Sequence, residues 1–358
     1  MEASREVASK HSTKIENLPE CILIRILSFL TTLDAIRTTL ACRTWRNLWY
    51  QVPSLSFDII PFYSPSKPYI ITRDKFIQCV NQAISIHPFT HVKKFHLRID
   101  YCAAYSHINN VNNWVLHAIN SKVIELDIDF HICDLKWILT DSTYREVDKF
   151  DEFLFDFSHL KDSSVEVLKL RRSSINCPPY EVGSSGFQSV QSLIFHDLNL
   201  VNREVNDVIK FCVNLEYLTI RYCSIPNSLE IYSSKLKKCE LETLFTSKVV
   251  IGAPRLHSIS IRKVCADLCF WEPSLVVAKV EYDDITLGKC SYRCRLMCSL
   301  STTKYLTVPD MYFGQEEFLK EMEISEEFFS RPVILNIPHR SIEGEIYVVK
   351  LIKRINWF

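Results

Sequence analysis

The chain has 358 residues, 47% of them hydrophobic, and its 42 basic side chains are balanced by 42 acidic ones. That is ample apolar material for a real core. A net charge of zero leaves no global field to draw nucleic acid or an anionic membrane, so neither is expected as a partner.

No uncharged apolar run reaches the roughly 18 residues that a membrane helix needs. Residues 1–14 are a polar, charged tail without the apolar block of a secretory signal, so the expected compartment is nucleus or cytoplasm. There the 14 cysteines read as small buried hydrophobes rather than a disulfide framework. With only 6 glycines the chain shows neither a P-loop nor a dinucleotide fingerprint. No Ser-His-Asp or Cys-His order stands out. No cofactor is expected.

Leu18-Pro19-Glu20 opens the most informative stretch. Pro19 suits the first turn of a helix and Glu20 the positive end of its dipole. Ile22, Ile26, Phe29 and Leu30 recur at helical spacing, but Leu23, Ile24 and Leu27 make the helix apolar on nearly every side, so it must be covered all round. So short a segment rarely covers itself. Asp34 is placed to cap a second helix carrying Ala35, Ile36 and Leu40. Trp45, Leu48 and Trp49 then supply large, rigid anchors. A small helical subdomain packed only on its own chain would show the same periodicity. The order Leu-Pro, Ile-Leu-Ser-Phe-Leu, Asp-Ala-Ile-Arg-Thr and Trp-Arg-x-Leu-Trp resembles an F-box of the plant F-box/leucine-rich-repeat type, over residues 15–58. Ala41-Cys42-Arg43-Thr44 departs from the usual Leu-Ser-Lys-Arg and costs one basic residue.

Residues 59–91 read as a linker and capping helix. Pro61, Pro65 and Pro68 mark a loop. Phe76, Val80, Ala83 and Ile84 mark an amphipathic helix ending before Pro88 and placed to seal the first open rib of the next region. From Val92 the pattern apolar-x-x-apolar-x-apolar recurs, with first anchors at Val92, Val123, Val165, Val190, Leu215, Leu236, Leu256, Leu275 and Thr303. Most steps fall near the roughly 20–29 residues of leucine-rich repeats, and two long early steps imply insertions. Each unit offers one short strand that buries its anchors only when stacked on its neighbours. The customary Asn or Cys three places past the last anchor is nearly absent: Cys223 fits, with Ser173 and His131 elsewhere. The expected fold class is therefore α/β. A three-helix F-box precedes an irregular leucine-rich-repeat solenoid over residues 92–310, with a parallel sheet on its concave face. A β-rich globular domain is the alternative.

Residues alternating with the anchors must leave the core. These are Lys94, His96 and Arg98, then Glu125, Asp127 and Asp129, then Lys169 and Arg171, and later Tyr217 and Arg221. They are the candidate target-binding residues, although charges so placed often merely solvate a sheet. Basic, acidic and basic ribs alternate, which argues against a simple anion site at Lys169 and Arg171. Residues 311–358 hold an acidic stretch (Glu316, Glu317, Glu321, Glu323, Glu326, Glu327) and a strand-like Ile346-Tyr347-Val348-Val349, a cap or extension in which the FBD region of some plant relatives is not recognisable. Cys290, Cys294 and Cys298 are spaced more widely than zinc ligands usually are, and neither Cys265 nor Cys269 is fixed nearby, so no metal is expected.

The resemblance implies a non-catalytic substrate receptor of a Skp-cullin-F-box ubiquitin ligase. Leu18, Pro19, Ile22, Ile26, Leu33, Leu40 and Trp45 would dock on a Skp-type adaptor, and through it on a cullin and a RING subunit. The repeats would hold an unknown target protein. A non-ligase F-box scaffold, a plain repeat binding module and a thiol- or metal-dependent enzyme are the alternatives.

Overall fold

The computed structural model describes residues 15, 18–41, 45–63, 69–90, 92–100, 107–131, 153–177, 186–198, 200, 204–225, 227–242, 244, 246–264, 266–271, 276–281, 303, 305–307, 333–338 and 346–351. Helix α1 (Glu20–Leu27) starts directly after Pro19, whose carbonyl accepts the first N–H groups of the turn, from Ile22 and Leu23. Helix α2 (Thr32–Ala41) is capped differently from the sequence expectation. Thr31 holds the cap position: its hydroxyl accepts the Asp34 N–H and donates to the Asp34 carboxylate at 2.8 Å. Asp34, three residues inside, accepts from the capping hydroxyl instead of capping the helix itself. A short 3₁₀ turn, Leu48–Gln51, follows. Leu23, Leu27, Ala35, Trp45, Leu48, Trp49 and Val52 close around one another as a small core.

The main sheet begins earlier than the repeat pattern suggests. Strand β1 (Ser54–Asp58), from the end of the segment read as F-box, pairs in parallel with β2 (Lys94–Asp100), aligning Leu55 with Phe95 and Phe57 with Leu97. Its outer edge is covered by α2, since the Thr32 hydroxyl accepts the Ser56 N–H at 2.7 Å. Helix α3 (Tyr69–Ile86) starts before the expected apolar positions and packs Phe76, Ile77, Val80 and Ala83 into the main core. The first rib is therefore sealed by β1 and α2, and α3 lies behind it.

Successive ribs are β3 (Glu125–His131), β5 (Val167–Arg171), β7 (Ser192–His196), β8 (Tyr217–Arg221), β10 (Lys238–Glu242), β12 (Ser258–Arg262), β14 (Val277–Glu281) and β15 (Tyr305–Thr307). They stack in parallel in chain order, followed by β16 (Val333–Pro338) and an antiparallel closing strand β17 (Ile346–Leu351), giving a 12-stranded sheet. Behind it lie a pair, β4 (Leu154–Asp156) with β6 (Ser174–Asn176), and a trio of β9 (Ser228–Tyr232), β11 (Lys248–Gly252) and β13 (Asp267–Phe270). The apolar anchors expected from Val92 to Val280 are buried wherever their side chains are described, and each rib's anchors stand beside the next rib's. Of the two long early steps, the first holds helix α4 (Ile108–Asn120), which buries Val111, Trp114 and Val115. Leu275 and most of residues 311–358, the acidic stretch included, lie outside the described residues.

Among the described residues, the corners after four ribs share a backbone device. Arg172, Asp197, Tyr222 and Lys263, each one place past a strand, adopt φ of 53°, 59°, 56° and 54°. Left-handed backbone costs a non-glycine residue roughly 1 kcal/mol or more. Here a hydrogen bond offsets it: the N–H groups of Arg172, Asp197 and Tyr222 donate to the carbonyls of His196, Arg221 and Glu242 on the next rib. The following residue then turns inward, and Ser173, Leu198, Cys223 and Val264 are all buried.

An aromatic joint connects the two regions. His87, at the end of α3, packs against Trp49 and Tyr50 from the F-box side and against Phe89, which in turn contacts His117 of α4. The Phe89 N–H donates to His87 Nδ1 at 2.9 Å. Burial pushes the His87 pKa down to about 4, with the Trp49 carbonyl partly offsetting it and His117 adding to it.

Candidate functional site

Two surfaces stand out, one apolar and one charged. On α1, positions four apart form a stripe, because the helix repeats every 3.6 residues. Leu23 and Leu27 point inward, while Ile22 is 45% exposed and Ile26 half-buried. Leu18 and Pro19 extend the stripe before the helix, both exposed, and Phe29 and Leu30 extend it beyond, Phe29 being 75% exposed. The Arg25 guanidinium lies 5.1 Å from the Phe29 ring centroid. Exposed apolar side chains grouped in this way mark an interaction surface.

The remaining adaptor candidates lie elsewhere. Leu33 and Trp45 are buried in the chain's own core, so they brace α1 and α2 and offer little area to a partner. Leu40 is in α2, with its side chain outside the described residues. Phe29 and Leu30 join the surface although the adaptor set read from the sequence omits them. Their signal is that the apolar block runs past the end of the helix at Ser28.

On the open face of the sheet, the candidate residues come together across strands. Lys94 and Lys169 both contact Glu125, each at 2.6 Å. His96 lies 3.4 Å from Asp127, which Arg171 reaches at 2.7 Å. Arg98 contacts Asp129 at 3.1 Å and Asp58 at 3.5 Å. Arg172 also binds Asp129, and its Nε donates to the Phe130 carbonyl. Further along, Arg221 meets Glu240 at 2.8 Å and Glu242 at 3.4 Å, and Arg262 meets Glu242 at 3.2 Å. Tyr217 is 47% exposed and projects from the face.

This pairing changes what the face presents. Asp129, a target-binding candidate, is only 2% exposed and is spent on its arginines. Burial works against charging Glu125 and Asp127. Hydrogen bonds and attraction from Lys169 and Lys94, and from His96, Arg171 and Lys169, outweigh it and hold both carboxyls below their usual range. At Glu240 the Lys238 hydrogen bond leads the lowering, opposed by burial and aided by Arg221. Asp58 and Arg172 join the ladder from outside the candidate set, and its pairings are not foreseeable along the chain, because partners 19 to 44 residues apart in sequence meet only once the register is set.

Among the described residues no group of three or more His, Cys, Asp or Glu could hold a metal ion. Cys265, Cys290, Cys294 and Cys298 lie outside them. Burial raises the thiol pKa of Cys212, Cys223 and Cys239, Cys223 to about 12, which makes them inert packing groups.

A helical module with an open apolar face, fused to a parallel-ribbed solenoid, is the architecture of an F-box/leucine-rich-repeat protein. Residues 84–326 match the family described as At1g61320/AtMIF1, LRR domain, and residues 15–57 match the F-box domain. The chain belongs to this leucine-rich-repeat family and carries an F-box at its N-terminal end. It is 24% identical over 266 residues to F-box/LRR-repeat protein 25 of Arabidopsis thaliana, covering 72% of this chain and 89% of that protein. Over 356 residues it is 24% identical to F-box/FBD/LRR-repeat protein At3g52680 of the same plant, covering 92% of this chain and 71% of that one. F-box/LRR-repeat protein At5g02910, also of Arabidopsis thaliana, is 26% identical over 251 residues, where the match spans 69% of this chain and about half (48%) of the relative. F-box plus repeat architecture is typical of substrate-recognition subunits, F-box domains generally bind Skp-type adaptors, and proteins of this kind are generally non-catalytic.

Proposed function

We propose that this chain is the substrate-recognition subunit of a Skp-cullin-F-box ubiquitin ligase. The stripe from Leu18 through Ile22 and Ile26 to Phe29 docks on the Skp-type adaptor, which brings in the cullin and the RING subunit. The open face of the ribs holds the target protein. The chain contributes proximity, raising the local concentration of target lysines near the charged conjugating enzyme. The observation that carries this reading is the exposure of Ile22 and Phe29 on a helix whose other face is already packed. The aromatic joint at His87 supports it, since a receptor must hold its target at a set distance from the ligase core. Its working compartment on this reading is nucleus or cytoplasm.

Co-expression with a Skp-type adaptor tests the docking. The chain is expected to be poorly soluble alone and soluble in the pair. The double variant Leu18→Ala/Pro19→Ala is expected to weaken the pair by at least ~2 kcal/mol. Unchanged affinity in that variant removes this interface. Ubiquitination of co-purifying proteins by the reconstituted complex separates a ligase receptor from an F-box scaffold that never transfers ubiquitin.

A further inference from the structure

The outermost row of the open face alternates in sign from rib to rib. In register it runs Asp58, Arg98, Asp129, Arg171, then His196, then Arg221, Glu242, Arg262. Arg98 stands between two acids. At His196 the alternation breaks: where a carboxylate belongs, an imidazole stands between Arg171 and Arg221. Both arginines are drawn outward, Arg171 to Asp127 on β3 and Arg221 to Glu240 on β10, so their inner sides flank His196 without an acid between them. The His196 Nδ1 is buried and has no hydrogen-bond partner among the described residues. Burial, then Arg172, Arg171 and Arg221, disfavour its protonation, with Asp197 opposing them. Asp197 itself sits outside the row, exposed on the corner turn.

The surroundings specify more than an anion. Rib β7 presents Ser192, Ile194 and His196, with no charge at the first two positions, and beside it Tyr217 and Thr219 continue an uncharged strip. Ile194, half-buried, adjoins the gap on the same face, and Tyr217, 47% exposed and in register with Ser192, lies further along the strip. We propose that this gap receives a carboxylate side chain of the bound target protein, seated at His196 between Arg171 and Arg221, with an adjacent apolar side chain of the same segment on Ile194 and Tyr217. An aspartate or glutamate there restores the alternation, and like charges so placed are rejected, which gives specificity as well as attraction. This rests on the receptor reading above and names the chemistry of what the receptor takes.

The test uses the full chain bound to its adaptor and a fluorescein-labelled peptide of alternating glutamate and leucine, followed by anisotropy. Binding that weakens with salt is expected, with the alternating lysine–leucine peptide inactive. His196→Glu fills the gap from within, so it should fold normally, hold the adaptor and bind the peptide at least ~10-fold more weakly. His196→Gln, uncharged, should stay within ~3-fold of wild type. Equal binding by His196→Glu overturns the site, as does equal binding of the lysine peptide. Displacement by equimolar inorganic phosphate would mean a free-anion site and also overturns it. So would peptide binding seen only in the full chain carrying E316Q, E317Q, E321Q and E323Q, because the occupant would then be the chain's own acidic stretch. An adaptor-bound chain that ignores the peptide sinks this inference alone. A chain that binds the peptide and holds no adaptor supports the site and sinks the ligase reading alone.

Discussion

On α1, Ile22 and Phe29 stand in water uncovered, whereas on the sheet the Asp129 carboxyl is buried among arginines. The F-box leaves its hydrophobic side unfinished. Among the described residues the solenoid finishes its inner face with stacked anchors, and its open face, except at His196, with charged side chains paired to their neighbours. The difference lies in how each region is built. So short a helical module has too little chain to cover all its apolar surface. A ribbed sheet brings side chains of adjacent strands about 5 Å apart in register, so a charge on one rib finds its counterion on the next. A surface meant for a partner is therefore recognised in the first region by what is exposed and in the second by what is left unpaired.

Four experiments would break or sharpen this contrast. Phe195→Ala, in the fully buried layer of β7, is expected to cost about 3–5 kcal/mol in urea unfolding, whereas Phe29→Ala should stay within ~0.5 kcal/mol of wild type. Similar losses in both would mean that Phe29 is packed after all. Asp129→Ala leaves Arg98 and Arg172 facing each other without their shared carboxylate, and a loss of about 3 kcal/mol is expected. A neutral outcome in the same unfolding assay would show the ladder to be mere solvation.

The joint carries a pH signature. His87 has a folded pKa of about 4 against an ordinary 6.5, so its contribution is fully present above 6.5 and is lost as pH falls from there toward 4. Glu125 and Asp127, with depressed pKa values, keep their contribution until pH falls through the ordinary carboxylate range and below. Melting temperature should thus decline between pH 6.5 and 4 in wild type and decline less in His87→Phe. Parallel curves would remove His87 as the cause. The smallest effect concerns Cys21, exposed beside Ile22 on α1. Its alkylation, followed by peptide mapping, should slow when the adaptor is bound, while buried Cys239 stays unlabelled in both states.

Much of this was legible along the chain. A period-2 alternation of anchors such as Leu168/Leu170 and Leu218/Ile220 is enough to specify a strand with one buried face, and its recurrence every 20 or so residues specifies stacking. The apolar block at Ile22–Leu30 likewise announced a surface in need of cover. The corners were not legible: Arg172, Asp197, Tyr222 and Lys263 are left-handed without being glycine, and at the first three a hydrogen bond to the neighbouring rib stabilises the turn. Neither was the cap at Thr31, where a hydroxyl and a carboxylate compete for one role and geometry assigns it to the hydroxyl.

By itself, then, the sequence determined which side chains turn inward and which turn outward, since these depend on local periodicity, while the F-box was legible through the resemblance of its ordered motifs. Only the tertiary structure decided who meets whom: that Ser54–Asp58 starts the sheet, that Trp49 and His87 join the two regions, and that Arg171, His196 and Arg221 share one row. The reason is register. A shift of one residue between ribs would send the partners of Asp129 to the opposite face, and no single strand contains the information that forbids it.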